Sequence, residues 1–132
     1  MKKIFFIHLV FIFFLAKIQA QNVSTDSITG TWKGTSICQV KSSPCHDEIA
    51  VYHISKTGKP NEYQFVMNKL VNGKEEDMGI INYSYDSTLH EFTGKSSPIA
   101  IWKFEVKVKA AKMEGTLVYN NVLYRIIHLE KQ

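Results

Sequence analysis

The sequence predicts an all-β domain: eight antiparallel strands wound up and down and closed into a barrel. Three observations predict it. Turn signals recur about every 8–14 residues, the spacing of short strands in sandwiches and barrels. No segment carries a helical period, whereas Trp102, Phe104, Val106 and Val108 alternate strictly with Lys103, Glu105, Lys107 and Lys109, the pattern of a strand with one buried face. Nearly every connection is short, so successive strands fall side by side and antiparallel. Such a meander leaves two open edges, and pairing its first strand with its last removes both. A Greek-key sandwich would need longer crossings.

The 132 residues suit one domain, and the first twenty stand apart from it. Met1-Lys2-Lys3 is a positive start, Ile4 to Leu15 is apolar except for His8, and small Ala20 precedes Gln21. This is the three-part layout of a secretory signal peptide, and its apolar run is shorter than the ~20 residues of a spanning helix. The expected organisation is a signal peptide over 1–20, a flexible arm over 21–27 and the barrel over 28–132, with a secreted or periplasmic mature form that has no membrane anchor. Asn22-Val23-Ser24 in the arm matches a glycosylation acceptor, a short pattern of low specificity. Cleavage would remove Lys2, Lys3 and Lys17 and no acid, leaving 13 basic against 12 acidic residues, a net charge of +1 in place of +4. Arg125 is the sole arginine, and no cluster of cations with interleaved aromatics marks a nucleic-acid surface.

The strands follow in order. Ile28 to Cys38 is rich in β-branched residues and places Gly30, Trp32, Gly34, Ser36 and Cys38 on one face. Glycines beside an indole leave it room or let the strand bend. Gln39 to Asp47 is a loop. Glu48–Ser55 and Glu62–Val71 are the second and third strands, joined by a turn over Thr57–Asn61. Asn72-Gly73 is a strong hairpin signal, because both residues tolerate positive φ. Glu75–Tyr85 is the fourth strand and Thr88–Lys95 the fifth. Ile99–Lys109, Met113–Tyr119 and Val122–Glu130 complete the set, with Asn120-Asn121 as a second tight hairpin.

Cys38 and Cys45 are the two cysteines. An even count in an exported chain favours a disulfide. Adjacent Cys45 and His46 do not match a common zinc spacing, so no metal is expected, and no cofactor motif occurs.

Gly30-Thr31-Trp32 resembles the Gly-x-Trp motif on the first strand of lipocalins and of the wider calycin superfamily of small barrels; the avidin family opens on a similar strand. Arg125, on the last strand, resembles the basic residue that in those barrels packs across the Trp and closes the base. The resemblance implies barrel closure by Trp32 and Arg125, with a guanidinium stacked on an indole. The family's Thr-Asp-Tyr-like turn is not evident; Asp86-Ser87-Thr88 is a poor substitute.

The resemblance also implies non-catalytic binding of a small hydrophobic molecule. Tyr63, Phe65 and Met67, with Trp102, Phe104 and Val106, would line a barrel pocket, and Asn82 and Tyr119 would add polar contacts, a mixture typical of ligand sites. Eight strands also close a barrel just narrow enough for its own side chains to fill it, and the sequence leaves both outcomes open. A protein-binding module is the alternative: small secreted bacterial protease inhibitors are similar in build and act through an N-terminal arm, here Gln21 to Thr29. For catalysis, His46-Asp47-Glu48, His53 and His90 supply titratable groups, but no motif sets a nucleophile, base and orienting group together, and His46-Asp47-Glu48 reads as a solvated loop end.

Overall fold

The computed structural model describes residues 27–41 and 44–132. The expected signal peptide over 1–20 and the expected arm up to residue 26 lie outside the described residues. Eight strands form one closed antiparallel barrel in sequence order: β1 (Gly30–Cys38), β2 (Glu48–Lys56), β3 (Glu62–Val71), β4 (Lys74–Asp86), β5 (Glu91–Ser97), β6 (Ala100–Lys107), β7 (Lys112–Tyr119) and β8 (Val122–Lys131). β1 pairs with β8 from Trp32↔Lys131 to Cys38↔Arg125, the closure that the open edges demanded.

Two hairpins form as their residues require. Asn72 and Gly73 take φ of 52° and 76°, and Asn120 and Asn121 take 48° and 61°, the left-handed pairs of tight β-turns. Strand boundaries move by up to three residues from the sequence reading, and two of the shifts have a local cause. β5 starts at Glu91 rather than Thr88, because Asp86 Oδ1 accepts the Thr88 and Leu89 amides at 2.8 and 3.0 Å and His90 adopts a φ of 54°. β6 stops at Lys107, and Val108–Ala110 form one 3-10 turn. There Val108 leaves the strand alternation and packs on the core.

The turns sort into two ends. The base carries residues 57–61, 87–90 and 108–111; the mouth carries residues 39–41 and 44–47 and the turns around Asn72, Pro98 and Asn120. At the base, Trp32 is wholly buried, and its indole N–H donates to the Ile28 carbonyl at 2.7 Å. Gly34 follows on the same face, where an added Cβ would strike the His128 carbonyl; its lack of a side chain lets β8 close against β1.

Arg125 does not stack on Trp32. β8 runs antiparallel to β1, so its early residue Arg125 faces Cys38, six positions from Trp32, or about 20 Å along the strand. The basic residue opposite Trp32 is Lys131, whose Nζ donates to the Ser27 carbonyl at 2.9 Å. Aligning the two strands end to end in the sequence would have found it.

The barrel centre is filled. Phe65 sits 4.3, 5.1 and 5.6 Å, ring to ring, from Tyr83, Phe92 and Phe104, and all four are wholly buried. Aromatic pairs at such distances add about 0.5–1.5 kcal/mol each beyond their area. Glycines make the space: a Cβ on Gly115 would collide with the Phe104 ring, and one on Gly94 would lie 2.6 Å from Tyr83 Cδ1.

Cys38 and Cys45 are bonded, with Cα atoms 5.9 Å apart, inside the ordinary span. The chain-entropy gain for so short a loop is about 2.5 kcal/mol. Asp47 Oδ1 pins the same loop by accepting the Cys38 amide at 2.9 Å. Reduction should therefore lower the Tm by roughly 10 °C while the far-UV circular dichroism keeps its β signature. Loss of that signature on reduction would mean the bridge, rather than the barrel seam, holds the fold.

Candidate functional site

The site begins with a break in the wall. β4 pairs with β5 only from Ser84↔Thr93 to Asp86↔Glu91. Before that point β4 bonds to β3 alone, and the β3–β4 register shifts between Met67 and Asn68. Gly79 supplies the left-handed φ of 126° at this irregularity, and Asp77 Oδ1 accepts its amide at 2.7 Å. A bulge of this kind bends a strand, and the mouth-ward half of β4 stands away from β5.

The break opens a slot with a volume of about 590 Å³, within the usual range for small-molecule sites. Met67, Met78, Ile80, Ile81 and Trp102 give it apolar walls. Gln64, Asn82, Lys95 and Ser96 make nearly half of its lining polar. Trp102 stacks nearly parallel on Phe104, with centroids 6.3 Å apart, and its indole N–H donates to Ser96 Oγ at 3.0 Å. The ring is thus fixed between the core and the slot. Met78 and Ile80 are about half exposed, although β4 is an interior strand of the sequence order.

The residues expected to line a pocket divide. Met67, Asn82 and Trp102 lie on the slot. Tyr63, Phe65, Phe104 and Val106 are buried in the filled core. Tyr119 stands half exposed at the mouth, its ring 5.8 Å from that of Tyr124. Asn82 is on the outer face of β4, where its Oδ1 accepts from Gln64 Nε2 at 3.4 Å. Sequence reasoning missed Gln64, Met78, Gly79, Ile80, Ile81, Lys95 and Ser96. The one signal was Gly79, a glycine inside a strand pattern, which marks a bulge.

Beneath the mouth lies a buried ion cluster. Glu48, whose side chain is 9 % exposed, stands 3.4 Å from Arg125 Nη1 and 3.6 Å from Lys69 Nζ. The same guanidinium nitrogen donates to Ser36 Oγ at 3.1 Å and to the His46 carbonyl at 3.3 Å. Arg125 thus ties β1, β2 and β8 together beside the disulfide. Glu48 is not a solvated loop end: it shares strand parity with Ala50, Tyr52 and Ile54 and points inward with them. Burial pushes the Tyr52 phenol above its ordinary range; Arg125 opposes that shift and Glu48 adds to it. Burial likewise raises Tyr83, whose hydroxyl donates to the Met67 thioether at 3.6 Å.

A third polar group lies on the outside. Thr31 Oγ1 is 3.1 Å from His53 Nδ1, and His53 Nε2 is 2.7 Å from Glu75 Oε2. Asn68 donates to the same carboxylate oxygen at 2.7 Å. These bonds, His53 first, hold the Glu75 carboxyl below its ordinary value of 4.5. A depressed folded value means the stabilisation is present above the unfolded value and is lost as pH falls through the folded one. The Tm should therefore fall on acidification below about pH 4.5, and Glu75→Gln should flatten that slope; an unchanged slope would remove Glu75 from the acid response. The chain Thr31–His53–Glu75 has the order of a catalytic relay, but its threonine sits on the convex wall, away from the slot. Among the described residues, no group of three or more His, Cys, Asp or Glu gathers to hold a metal.

The geometry defines an eight-stranded up-and-down β-barrel with a filled axis and a lateral slot. Comparison with models of known protein families found no match, and comparison with curated proteins found no relative.

Proposed function

We propose that this is an exported, non-catalytic binding protein of lipocalin-like build that holds a small hydrophobic molecule, and that the molecule lies in the slot between β4 and β5 rather than along the barrel axis. The slot carries the reading: it is the place where a space of about 590 Å³ meets the exposed apolar side chains of Met78 and Ile80 and the edge of a largely buried indole. The lipocalin likeness is supported by the meander topology and by an indole buried at the base, with Lys131 taking the position across from it. The signal-peptide layout of residues 1–20 supports export.

Native mass spectrometry after gentle purification tests the reading, together with saturable binding of the neutral apolar dye N-phenyl-1-naphthylamine. Added mass or saturable dye binding is expected, with loss of either in Ile80→Asp. No added mass and no saturable binding would refute it. The filled axis favours a second reading, a protein-binding module acting through the arm at 21–29. In that case deleting the arm, and not altering Ile80, would abolish partner binding.

A further inference from the structure

We propose that the adjoining tips of the β5–β6 and β7–β8 hairpins dock this protein on the surface of an anionic lipid bilayer. Nine large hydrophobic side chains are exposed among the described residues, and five of them gather here: Ile99, Ile101, Tyr119, Val122 and Leu123. The register makes them neighbours. Ile101 faces Val118, and Val118 faces Leu123; Ala100 faces Tyr119, and Tyr119 faces Val122. The Asn120 amide donates to the Ile99 carbonyl at 2.8 Å and joins the two tips. A gathered apolar patch marks a surface that meets something, whereas scattered single residues do not.

Charge selects the occupant. The segments 92–104 and 115–129 contain no carboxylate; their formal charges are Lys95, Lys103 and Arg125. Lys95 faces Ile101 across the β5–β6 pair. Lys103 lies further from the tip and bonds Glu91 at 2.9 Å, while Arg125 is turned inward onto Glu48. Of the outer carboxylates of these strands, Glu91, Glu105 and Glu114 form one row toward the base, and Glu130 lies nearer the base still, opposite Lys112. These two tips are thus apolar and cationic, with the acids of their own strands behind them; the other carboxylates of the mouth, Asp47 and Glu75, Glu76 and Asp77, stand on the neighbouring loop and at the start of β4. Tyr119, with Tyr124 beside it, sits where an aromatic belt meets the headgroup layer, and lysines near the surface are drawn to anionic lipids.

A second copy fits less well. Five side chains, each about half exposed, fall well short of the ~800 Å² that each partner of a stable interface buries, and they cluster at two hairpin tips instead of a flat face. Seated on a bilayer, the protein would bring its slot to the lipid surface, since Lys95 borders both features. Docking by the tips does not depend on the slot having a ligand.

Co-sedimentation with vesicles tests the proposal. The purified protein should pellet with vesicles of equal parts phosphatidylcholine and phosphatidylglycerol, less so at high salt, and weakly with phosphatidylcholine alone. Lys95→Glu should weaken binding roughly tenfold, the effect of replacing a surface cation by an anion. The double variant Val122→Asp/Leu123→Asp should stay in the supernatant with an unchanged circular dichroism spectrum and Tm. Ile99→Ser provides a milder variant, expected to weaken pelleting, should the double change disturb the hairpin. Failure of the wild type to pellet with the mixed vesicles overturns the proposal. So does undiminished pelleting of a folded tip variant, or a concentration-dependent dimer in light scattering that the tip variants abolish.

Discussion

Replacing Trp32 by alanine is expected to cost about 3–5 kcal/mol, the range for large-to-alanine changes in a packed core. The indole is wholly buried, and its N–H holds the Ile28 carbonyl at 2.7 Å. The substitution removes the side chain that plugs the base and leaves that carbonyl unpartnered in a buried place. Trp32→Phe separates the two effects. It keeps much of the volume and loses the hydrogen bond, so a loss of about 1–3 kcal/mol is expected from the bond. Urea denaturation with a two-state fit measures both. A loss below about 1 kcal/mol for the alanine variant would show that the base is sealed by other groups, with Ile28 and Val108 the first to examine.

The second large effect is expected at Arg125. Its guanidinium and the Glu48 carboxylate are both about nine-tenths buried. Breaking a buried pair by removing one member typically costs about 3–5 kcal/mol, because the other charge stays buried without its partner. Arg125→Met should fall near the lower end of that range, since Lys69 remains 3.6 Å from Glu48. Glu48→Leu should cost more, because it leaves two cations without their shared anion. Combining the two changes should recover much of the loss, as apolar replacements of buried pairs often do. A double-mutant cycle by chemical denaturation checks this. Additive losses would show that the two groups act separately on the fold.

Most of the fold was legible in the sequence, for identifiable reasons. The alternation from Trp102 to Val108, the left-handed pairs at Asn72-Gly73 and Asn120-Asn121, and the need to close a meander all act locally or through topology. β5 was less legible because Asp86 caps two successive amides and delays the strand, a side-chain bond that alternation does not report. The site was less legible still. The wall opens because β3 and β4 shift register at Gly79, and register is a relation between strands that a single strand's pattern cannot show. The same limit displaced Arg125 from Trp32: both residues lie on the strands that meet, but their positions along the seam depend on direction and offset. Whether the barrel would be hollow was settled by small residues. Gly94 and Gly115 admit the rings of Tyr83 and Phe104, and glycines opposite aromatics are visible in the sequence only once the pairing is known.

The seam between β1 and β8 also governs when the molecule can become stable. Every incomplete set of strands, from two to seven, is an open ribbon with two bare rims, and only the arrival of Val122–Lys131 beside Gly30–Cys38 turns the ribbon into a ring. The decisive pairing joins segments nearly a hundred residues apart, and such distant pairings make folding slow. As the polypeptide leaves a ribosome or a translocation pore, no earlier stopping point shelters its edges, so this architecture commits itself late and as a unit.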